Sequence, residues 1–573
     1  MTATATAERT AADNEQRPSA PLVRDQKLPR WRLRFPLQRI VKAEIVALAI
    51  GFAMTVAGLP WWAPVIAAAV LLLVVTVTYR GATALGWLGR VRARRKAKRS
   101  AAVRARRTAI PAPFNVDLPG VGPVGMRWDG QYAITMIALH GRAFPPTALV
   151  AEGADTIDTV PLQAIGALLE QFGGLELHSI DAVSVGCRTS STGRYTPRYE
   201  EIIGDRPAVG ERRTWLVLRL NPQECMDALT YRGDIGVAVA AATERIRQAA
   251  VREGCRAVMC TPEQIDAATD ALLAGHDLAR YEEHWAHLQV GNEYVTPYRV
   301  AGTDLTTRLL NDLWTIRSTT TVTVVRLTRA ADGSLAAGVL VRLHTTMPLP
   351  HPPLHTLHRV AGQSFSALLA SLPLGDRAVE LPLAPKRLAP QRPRVRPRLG
   401  DKKNLVVPVG SSGFLFGMTL GGFPFLMSIT DPLKYTRVAL NADVYVVQSL
   451  VLRATAAGAT ALVHTDRPAM WSPICDDRVM LAGRIEPPET PTLVVADGEA
   501  AQRLLATTGE RGHALIVVTK TPPADSDIVV TQVATGQVVL TTPSGREVPL
   551  TIMRPRNEAQ YLSHLRSRRA ERR

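Results

Sequence analysis

The sequence predicts an α/β protein in which a two-helix transmembrane hairpin precedes a large mixed α/β cytoplasmic region in two parts. Three observations lead to this fold class. Residues 45–78 contain no charged side chain. Apolar runs with strand-like and helix-like periods alternate from about residue 124 onward. A stretch rich in proline and arginine, residues 381–403, divides the α/β region.

The uncharged stretch is too long for a single membrane crossing. As one helix it would measure about 51 Å, whereas the hydrocarbon core of a bilayer is about 30 Å thick. Glycine and proline near its middle favour a turn, so the sequence predicts crossings at 41–59 and 62–79. The predicted hairpin turn comprises Gly58, Pro60, Trp61, Trp62 and Pro64.

Small residues in both predicted crossings would let neighbouring helices approach closely. These helix-packing positions are Ala47, Gly51, Ala53, Ala67 and Ala68. Basic residues flank the hairpin on both sides, and lysine and arginine concentrate on the cytoplasmic side of a membrane. We therefore expect a protein of the inner (plasma) membrane with two helices, both termini and its main body in the cytoplasm.

The segment that follows the hairpin, residues 80–110, is strongly basic. Such a juxtamembrane segment predicts contact with anionic membrane lipid. The residues expected to bind lipid headgroups are Arg92, Arg94, Arg95, Lys96, Lys98 and Arg99.

The net charge of +18 is distributed unevenly. Residues 24–107 carry +16, residues 381–403 carry +7 and residues 554–573 carry +5, whereas 108–380 and 404–553 together carry −9. The expected folded regions are therefore mildly acidic, which argues against a nucleic-acid partner. Five scattered cysteines, an odd number, argue against a disulfide scaffold and fit a reducing compartment.

Composition divides the chain into seven segments. They are a disordered, basic-ended N-terminal tail (1–40), the transmembrane helical hairpin (41–79), the polybasic juxtamembrane segment (80–110), a cytoplasmic α/β domain (111–380), a Pro/Arg-rich linker (381–403), a second cytoplasmic α/β segment (404–553) and a basic C-terminal tail (554–573).

Local patterns predict several elements of the α/β regions. Residues 124–128 and 132–139 read as a β-hairpin, and residues 317–328 and 336–344 as a second one, since turn residues join each pair. The strand-like run 213–220 precedes a helical pattern that extends to about Glu253. An apolar strand at 255–260 would complete a βαβ unit.

Two glycine-rich stretches resemble nucleotide-binding loops. Residues 120–125 match G-x-G-x-x-G, but they precede a strand and Pro123 interrupts them, so we expect a turn. Residues 410–413 lack the Gly-Lys-Ser/Thr that a phosphate loop needs, and we expect close packing or a tight turn.

Three groups of side chains have the composition of a metal or redox site. The histidine group lies among prolines, the cysteine pair lacks a second pair, and the aspartate pair follows two prolines, so each has a simpler interpretation. The groups are His344, His351, His355 and His358; Cys255 and Cys260; and Asp525 and Asp527. The sequence thus predicts no catalytic, cofactor-binding or metal residue, and the histidine group stays an open alternative.

Several stretches resemble EccE, a membrane component of the ESX (type VII) secretion machinery of mycobacteria and relatives. In order along the chain they are Arg127-Trp128-Asp129-Gly130, Arg212 to Arg219, Pro408 to Gly413, and Ala439-Leu440-Asn441 leading to Val451 to Ala459. With the hairpin, the resemblance spans roughly residues 40–550. It implies a structural subunit of the inner-membrane core complex, alongside EccB, EccC and EccD type subunits, and it carries over no catalytic residue.

The function expected from the sequence is therefore that of a non-catalytic subunit that supports assembly or stability of the translocon. The alternative is a membrane-tethered transferase acting on cell-envelope precursors. The chain lacks the lysine-tipped phosphate loop, nucleophile elbow and paired metal motif that would favour an enzyme.

Overall fold

The computed structural model describes residues 31–33, 37–58, 60, 62–79, 82–99, 101–150, 153–389, 405–483, 490–504 and 508–562. The chain forms two compact units, residues 1–107 with 349–358, and residues 108–348 with 359–573. Most of the predicted N-terminal tail, the latter part of the linker and most of the C-terminal tail lie outside the described residues.

The first unit contains a helical hairpin and a small antiparallel sheet. Its helices are α1 (Leu37–Val56), α2 (Trp62–Thr76), α3 (Ala84–Arg99) and α4 (Ala101–Thr108), and its strands are β1 (Trp31–Leu33), β2 (Val77–Tyr79) and β3 (Ala82–Thr83). The three strands pair in the order β1-β2-β3. Gly58 follows α1 with a positive φ of 74°, and Ala63 N donates to Pro60 O at the start of α2, so the turn falls where the sequence predicts it.

Among the helices that the structure describes, none is long and apolar enough to cross a membrane. Helix α1 has 20 residues but includes Arg39, Lys42 and Glu44. Helix α2 has 15 residues, or about 22 Å, because the chain becomes extended at Val77. The hairpin is present, but the predicted crossings at 41–59 and 62–79 are not confirmed.

The second unit is mixed α/β, as predicted. Its helices are α5 (Leu162–Gly166), α6 (Thr196–Ile203), α7 (Met226–Thr230), α8 (Ile235–Arg252), α9 (Pro262–Leu272), α10 (Thr307–Asp312), α11 (Ser364–Ala370), α12 (Asp376–Val379), α13 (Val444–Ala456), α14 (Pro468–Trp471), α15 (Glu499–Leu504) and α16 (Arg556–Tyr561).

The described strands N-terminal to the predicted linker and within it are mostly antiparallel, and seven of them have eight or more residues. They are β4 (Phe114–Leu118), β5 (Gly122–Asp129), β6 (Tyr132–His140), β7 (Thr147–Val150), β8 (Gly153–Asp155), β9 (Glu170–Gln171), β10 (Leu175–Glu176), β11 (Ser179–Cys187), β12 (Glu211–Leu220), β13 (Arg256–Met259), β14 (Glu282–Glu283), β15 (Leu288–Val290), β16 (Glu293–Val300), β17 (Thr320–Arg329), β18 (Leu335–Thr345), β19 (Leu357–Arg359), which runs across the boundary of the two units, and β20 (Lys386–Arg387).

The strands after the linker are shorter. They are β21 (Phe414–Thr419), β22 (Pro424–Met427), β23 (Thr436–Asn441), β24 (Ala461–Thr465), β25 (Val479–Leu481), β26 (Leu493–Asp497), β27 (Ala514–Val518), β28 (Ile528–Ala534), β29 (Gln537–Thr541) and β30 (Glu547–Thr551).

The first large sheet has the order β14-β15-β16-β18-β17-β11-β12-β6-β5-β4, with β13 added on β6 and β20 on β18. The predicted hairpins are confirmed as β5–β6 and β17–β18, because their turn residues join strands that pair in register. Residues 120–125 form the turn and first residues of the β4–β5 hairpin, where Gly120 and Gly122 have positive φ. This stretch is therefore a turn, as expected.

The predicted βαβ unit is present in split form. Strands β12 and β13 are parallel to each other because both pair antiparallel with β6, which lies between them. The single long helix predicted between them is instead two helices, α7 and α8. The chain breaks at residues 231–234, since Gly233 disfavours helix and Asp234 caps α8 by accepting a hydrogen bond from Val237 N at 3.1 Å.

The second large sheet has the order β25-β24-β26-β27-β23-β28-β29-β30-β21-β22-β7-β8. Its first six strands are parallel and the rest antiparallel. Strands β7 and β8 come from the chain before the linker, so both predicted α/β segments contribute to this sheet. The predicted helix at 443–457 is confirmed as α13.

Candidate functional site

Three of the four motifs that resemble EccE contain a buried arginine, and the fourth, Pro408 to Gly413, accepts a hydrogen bond from one of these arginines. The side chains of Arg127, Arg219 and Arg453 are inaccessible to solvent, and Arg212 is nearly so. Burying a charge is costly unless it is paired and hydrogen-bonded. The partners of these arginines therefore reveal what the motifs do, and we call the four sets of contacts the arginine clusters.

The first arginine cluster joins three neighbouring strands of the first sheet. Asp181 on β11 accepts a hydrogen bond from Arg219 Nη1 at 2.5 Å and from Arg326 Nη2 at 2.8 Å. All three side chains are buried. Burial alone would raise the pKa of Asp181, but the two guanidinium groups outweigh it and lower that pKa below its usual range.

The same two arginines hold the segment around α11 and α12 against the sheet. Arg219 donates to Leu374 O at 2.6 Å and to Leu372 O at 3.1 Å, while Arg326 donates to the carbonyl oxygens of Ala370 and Ala378. Each guanidinium group thus donates more than one hydrogen bond to backbone oxygens of the segment 370–378. Such a fully bonded cluster fixes the position of that segment on the sheet.

The second arginine cluster is formed by the Arg127-Trp128-Asp129-Gly130 motif. Arg127 donates to Asp266 at 2.7 Å and to Pro373 O at 3.1 Å, and burial lowers its pKa. Asp129 accepts hydrogen bonds from Gly375 N at 2.8 Å and from Arg377 at 3.1 Å. This motif therefore ties the β5–β6 hairpin to helix α9 and to residues 373–377.

The third arginine cluster brings two of the motifs together. Arg212 Nε donates to Gly410 O at 2.8 Å, its backbone N donates to Ser411 Oγ at 2.8 Å, and its guanidinium carbon lies 5.1 Å from the centre of the Trp314 ring. Burial, with no carboxylate beside it, lowers the pKa of Arg212 to about 9. Residues 410–413 thus serve close packing, as expected.

The fourth arginine cluster joins helices that pack on the second sheet. Arg453 on α13 binds Glu558 through two hydrogen bonds of 3.0 and 2.6 Å, and Tyr195 OH donates to the same carboxylate at 2.6 Å. Burial opposes the charge on Arg453, but Glu558 outweighs it and raises the pKa of Arg453 above its ordinary value. Glu558 lies on α16, so residues 556–561 are folded although the sequence predicts a tail there.

The guanidinium groups of these clusters are directed at carboxylates and backbone oxygens of the fold itself. Two cavities between the described residues measure about 10 Å³ each, which is room for a single water at most. One of them is lined by apolar side chains of the second sheet and α13, and the other includes Arg212 and Trp314. The geometry fits interior bracing of the fold.

The histidine group was one of the three candidate metal sites, and its first member, His344, already has a carboxylate partner. Within the described ranges, no group of three or more His, Cys, Asp or Glu side chains is arranged to hold a metal. His344 is buried, its Nδ1 lies 3.3 Å from Glu293 Oε2, and burial lowers its pKa to about 4. His351, His355 and His358 belong to the first unit, whereas His344 belongs to the second.

The cysteine and aspartate pairs are also accounted for. Burial raises the pKa of Cys255 to about 11 and that of Cys260 to about 12, so neither is a reactive thiolate at neutral pH. Asp525 forms an ion pair with Arg437, and Asp527 accepts hydrogen bonds from Lys434 Nζ and, at 3.0 Å, from Arg437 N.

The predicted membrane residues are placed as follows. Gly51 faces the other helix of the hairpin, since a Cβ atom built there would lie 3.6 Å from Pro64 Cβ. The other packing positions, Ala47, Ala67 and Ala68, are half-buried, while Ala53 is exposed.

The predicted lipid-binding residues all belong to α3. Arg92 and Arg95 are exposed and Arg94 is half-buried. The side chains of Lys96, Lys98 and Arg99, and Trp61 of the turn, lie outside the described residues.

The sequence analysis missed the acidic partners of the clusters. Asp181 and Arg326 each interrupt a run of apolar strand residues, and they are directly opposite each other in the β11–β17 register. A lone charge in the middle of an apolar strand is the pattern that would have found them. Glu558 gave no such sign, because it stands among arginines in a polar segment.

Comparisons with known proteins agree with the resemblance of the motifs. The family model for "type VII ESX secretion system translocon, EccE" matches residues 208–300, which include Arg212 and Arg219. EccE5 of Mycobacterium tuberculosis is 31 % identical over 364 residues, or 61 % of this chain and 86 % of that protein.

Two further relatives match over similar lengths. EccE2 of M. tuberculosis is 27 % identical over 65 % of this chain and 66 % of its own length. EccE1 of Mycolicibacterium smegmatis is 29 % identical over 70 % of this chain and 76 % of its own length. All three relatives are named as ESX secretion system proteins. The chain belongs to the EccE family.

Proposed function

We propose that this protein is a non-catalytic structural subunit of an inner-membrane ESX (type VII) secretion complex that supports assembly or stability of the translocon. The observation that carries the proposal is the burial of the motif arginines. The buried arginines of the motifs that resemble EccE bind carboxylates and backbone oxygens inside the fold. This arrangement favours a rigid structural body over an exposed reactive centre. Its partners would be EccB, EccC and EccD type subunits.

The proposal includes a membrane anchor. The hairpin of α1 and α2 would insert into the inner membrane, the basic residues 80–110 would bind anionic lipid headgroups, and both termini with the main body would face the cytoplasm. Basic residues on both sides of the hairpin support this topology. A reporter active only outside the cytoplasm, fused after residue 110, should stay silent; strong activity there would contradict the topology.

Purification of the tagged protein in mild detergent tests the subunit role directly. We expect EccB, EccC and EccD type subunits to co-purify in fixed proportion. Deletion of residues 41–79 should leave the body folded but reduce both co-purification and secretion. Full secretion by the deletion variant would show that the hairpin is not needed for assembly.

The hairpin also allows a matched comparison of two substitutions. Gly51→Leu adds bulk where a Cβ atom would already contact Pro64, whereas Leu72→Ala removes apolar area from α2. We expect Gly51→Leu to weaken assembly of the complex more than Leu72→Ala does, because overpacking a helix contact forces the helices apart. Equal, normal assembly of both variants would contradict a packing role for the hairpin.

The alternative is a transferase acting on cell-envelope precursors. An enzyme of this kind would need at least one catalytic side chain whose loss abolishes function. Asp525 and Asp527 are the best acidic candidates, but both are paired with basic side chains. We expect Asp527→Ala, His355→Ala and Cys260→Ser to leave secretion largely intact. Complete loss of function in one of them, with normal protein level and normal complex assembly, would favour the enzyme.

A further inference from the structure

Three large apolar side chains stand out from one surface of the second unit. Phe172 lies at the tip of the β9–β10 hairpin, Met226 begins α7, and Tyr231 follows it; their exposed fractions are 82, 60 and 94 %. We call these three residues the apolar patch. Aromatic residues and methionine are enriched in the centres of protein interfaces and depleted from free surfaces.

The two backbone segments that carry the patch contact each other. Arg232 Nη2 donates to Phe172 O at 2.6 Å. A Cβ atom built on Gly174 would lie 3.8 Å from Ala228 Cβ, so the hairpin tip rests on α7. The segments that carry the patch residues are therefore in contact, although they are far apart in sequence.

Hydrogen bonds hold the patch in a fixed shape. Gln171 is buried, accepts from Arg245 Nη1 at 3.1 Å and donates to Leu168 O at 2.9 Å. The Arg245 guanidinium also lies 6.0 Å from the centre of the Phe172 ring. On the α7 side, Asn221 accepts from Gln223 N at 3.1 Å and begins the turn that leads to Met226. A preorganised surface of this kind loses little entropy on binding.

The rim of the patch is acidic. Four exposed carboxylates lie beside it in the chain, and they are Glu176, Glu224, Asp227 and Asp234. The basic side chains at the patch, Arg232 and Arg245, are half-buried and keep their charge, so with the four carboxylates they leave a net charge of −2. A net negative rim around an apolar centre selects a partner of positive charge.

We propose that the apolar patch docks on another protein subunit of the secretion complex, in an apolar groove whose rim carries lysine and arginine. This inference rests on the proposed function. A second copy of the chain is a poorer occupant, because a symmetric contact through this patch would bring two acidic rims together. An anionic membrane is a poorer occupant for the same reason of charge.

A photo-crosslinking residue at position 231 of the full chain tests the identity of the occupant. In the assembled complex we expect one discrete adduct with another subunit, identified by mass spectrometry, and a matched loss of that adduct with Asp227→Lys. The same crosslinker at position 420, where Leu420 is 86 % exposed on the β21–β22 turn, should give no such adduct. An adduct at twice the chain mass, or with lipid, would overturn the proposal.

A double variant, Phe172→Ala with Tyr231→Ala, tests the strength of the contact. We expect retention of the partner subunit to fall about tenfold or more, since truncating anchors of an interface commonly has effects of this size. The thermal unfolding midpoint of the variant should equal that of the wild type, because both side chains are exposed. Leu420→Ala with Phe423→Ala is the matched control and should retain the partner.

The results separate this inference from the proposed function. If the wild-type chain does not co-purify with a secretion complex, the proposed function fails. If the wild-type chain co-purifies and the double variant retains every subunit equally, the docking surface is wrong while the subunit role stands.

Discussion

Asp181 is the residue at which loss of a single charge should destabilise the fold most clearly. Its carboxylate is buried and binds two buried guanidinium groups, Arg219 and Arg326. Asp181→Asn removes the negative charge but keeps the size of the side chain. Two cations then lie in the interior without a counter-charge, and breaking a buried ion pair in this way typically costs about 3–5 kcal/mol.

An exposed ion pair of the same length is the matched control. Glu170 and Arg329 lie 2.8 Å apart, as do Asp181 and Arg326, but both are substantially exposed. Solvent screens such a pair, so Glu170→Gln should change the free energy of unfolding by at most about 1 kcal/mol. Denaturant unfolding of the purified full chain, followed by tryptophan fluorescence, measures both variants. Equal losses in the free energy of unfolding for Asp181→Asn and Glu170→Gln would refute the importance of burial at Asp181.

The pH dependence provides a second test of the same cluster. The pKa of Asp181 is lower in the folded protein than in the unfolded chain. A carboxyl group shifted in this direction stabilises the fold fully above its unfolded pKa of about 3.9, and this contribution is lost as the pH falls through the folded pKa. The difference in free energy of unfolding between wild type and Asp181→Asn should therefore stay constant from pH 8 to pH 5 and become smaller only below about pH 4. If the difference in free energy of unfolding already became smaller near neutral pH, the lowered pKa of Asp181 would be contradicted.

Three further predictions use the same unfolding assay or a thiol assay. Gly413→Ala should destabilise by about 2 kcal/mol or more, since Gly413 has a φ of +78° and a Cβ atom would lie against the Met427 backbone, whereas Gly410→Ala, with open space around it, should be near neutral. Arg342→Met should be neutral or stabilising by about 1 kcal/mol, because Nε and Nη1 of this buried arginine have no hydrogen-bond partner among the described residues; a clear loss would contradict this and would show that its hydrogen bond to Leu272 O outweighs the cost of burying the charge. Cys260, with its pKa raised to about 12 by burial, should resist maleimide at pH 7 in the folded chain and react after unfolding; rapid labelling at Cys260 itself, located by peptide mass spectrometry, would contradict its burial.

The sequence predicted the local structure of the second unit well. The β5–β6 hairpin follows from the Asp129-Gly130 turn between two apolar runs, and α13 from a mainly apolar helical pattern. Both depend on residues close together in the chain, where propensity and turn chemistry decide the outcome. The family was likewise recognisable from short motifs.

The long-range contacts were not predictable from the same patterns. Arg127 binds Asp266 across 139 positions and Arg212 binds Gly410 across 198 positions, and no local period links such pairs. The placement of β7 and β8 in the second sheet also has no local sign. The end of α2 at Thr76 was missed because the apolar run continues to Thr78, so composition alone extends the helix.

The position of Glu558 has a consequence for how this protein is made. Its carboxylate is the counter-charge of Arg453, which lies in the last turn of α13 and also donates to backbone oxygens of β21. On a ribosome, Arg453 is synthesised 105 positions before Glu558, and until Glu558 emerges the part of the body around α13 would hold an unpaired interior cation. We expect it to stay loosely packed and dependent on chaperones during synthesis, and to close only when α16 arrives. A nascent chain broken off before this point would thus be marked for proteolysis before it could occupy a place in a membrane assembly.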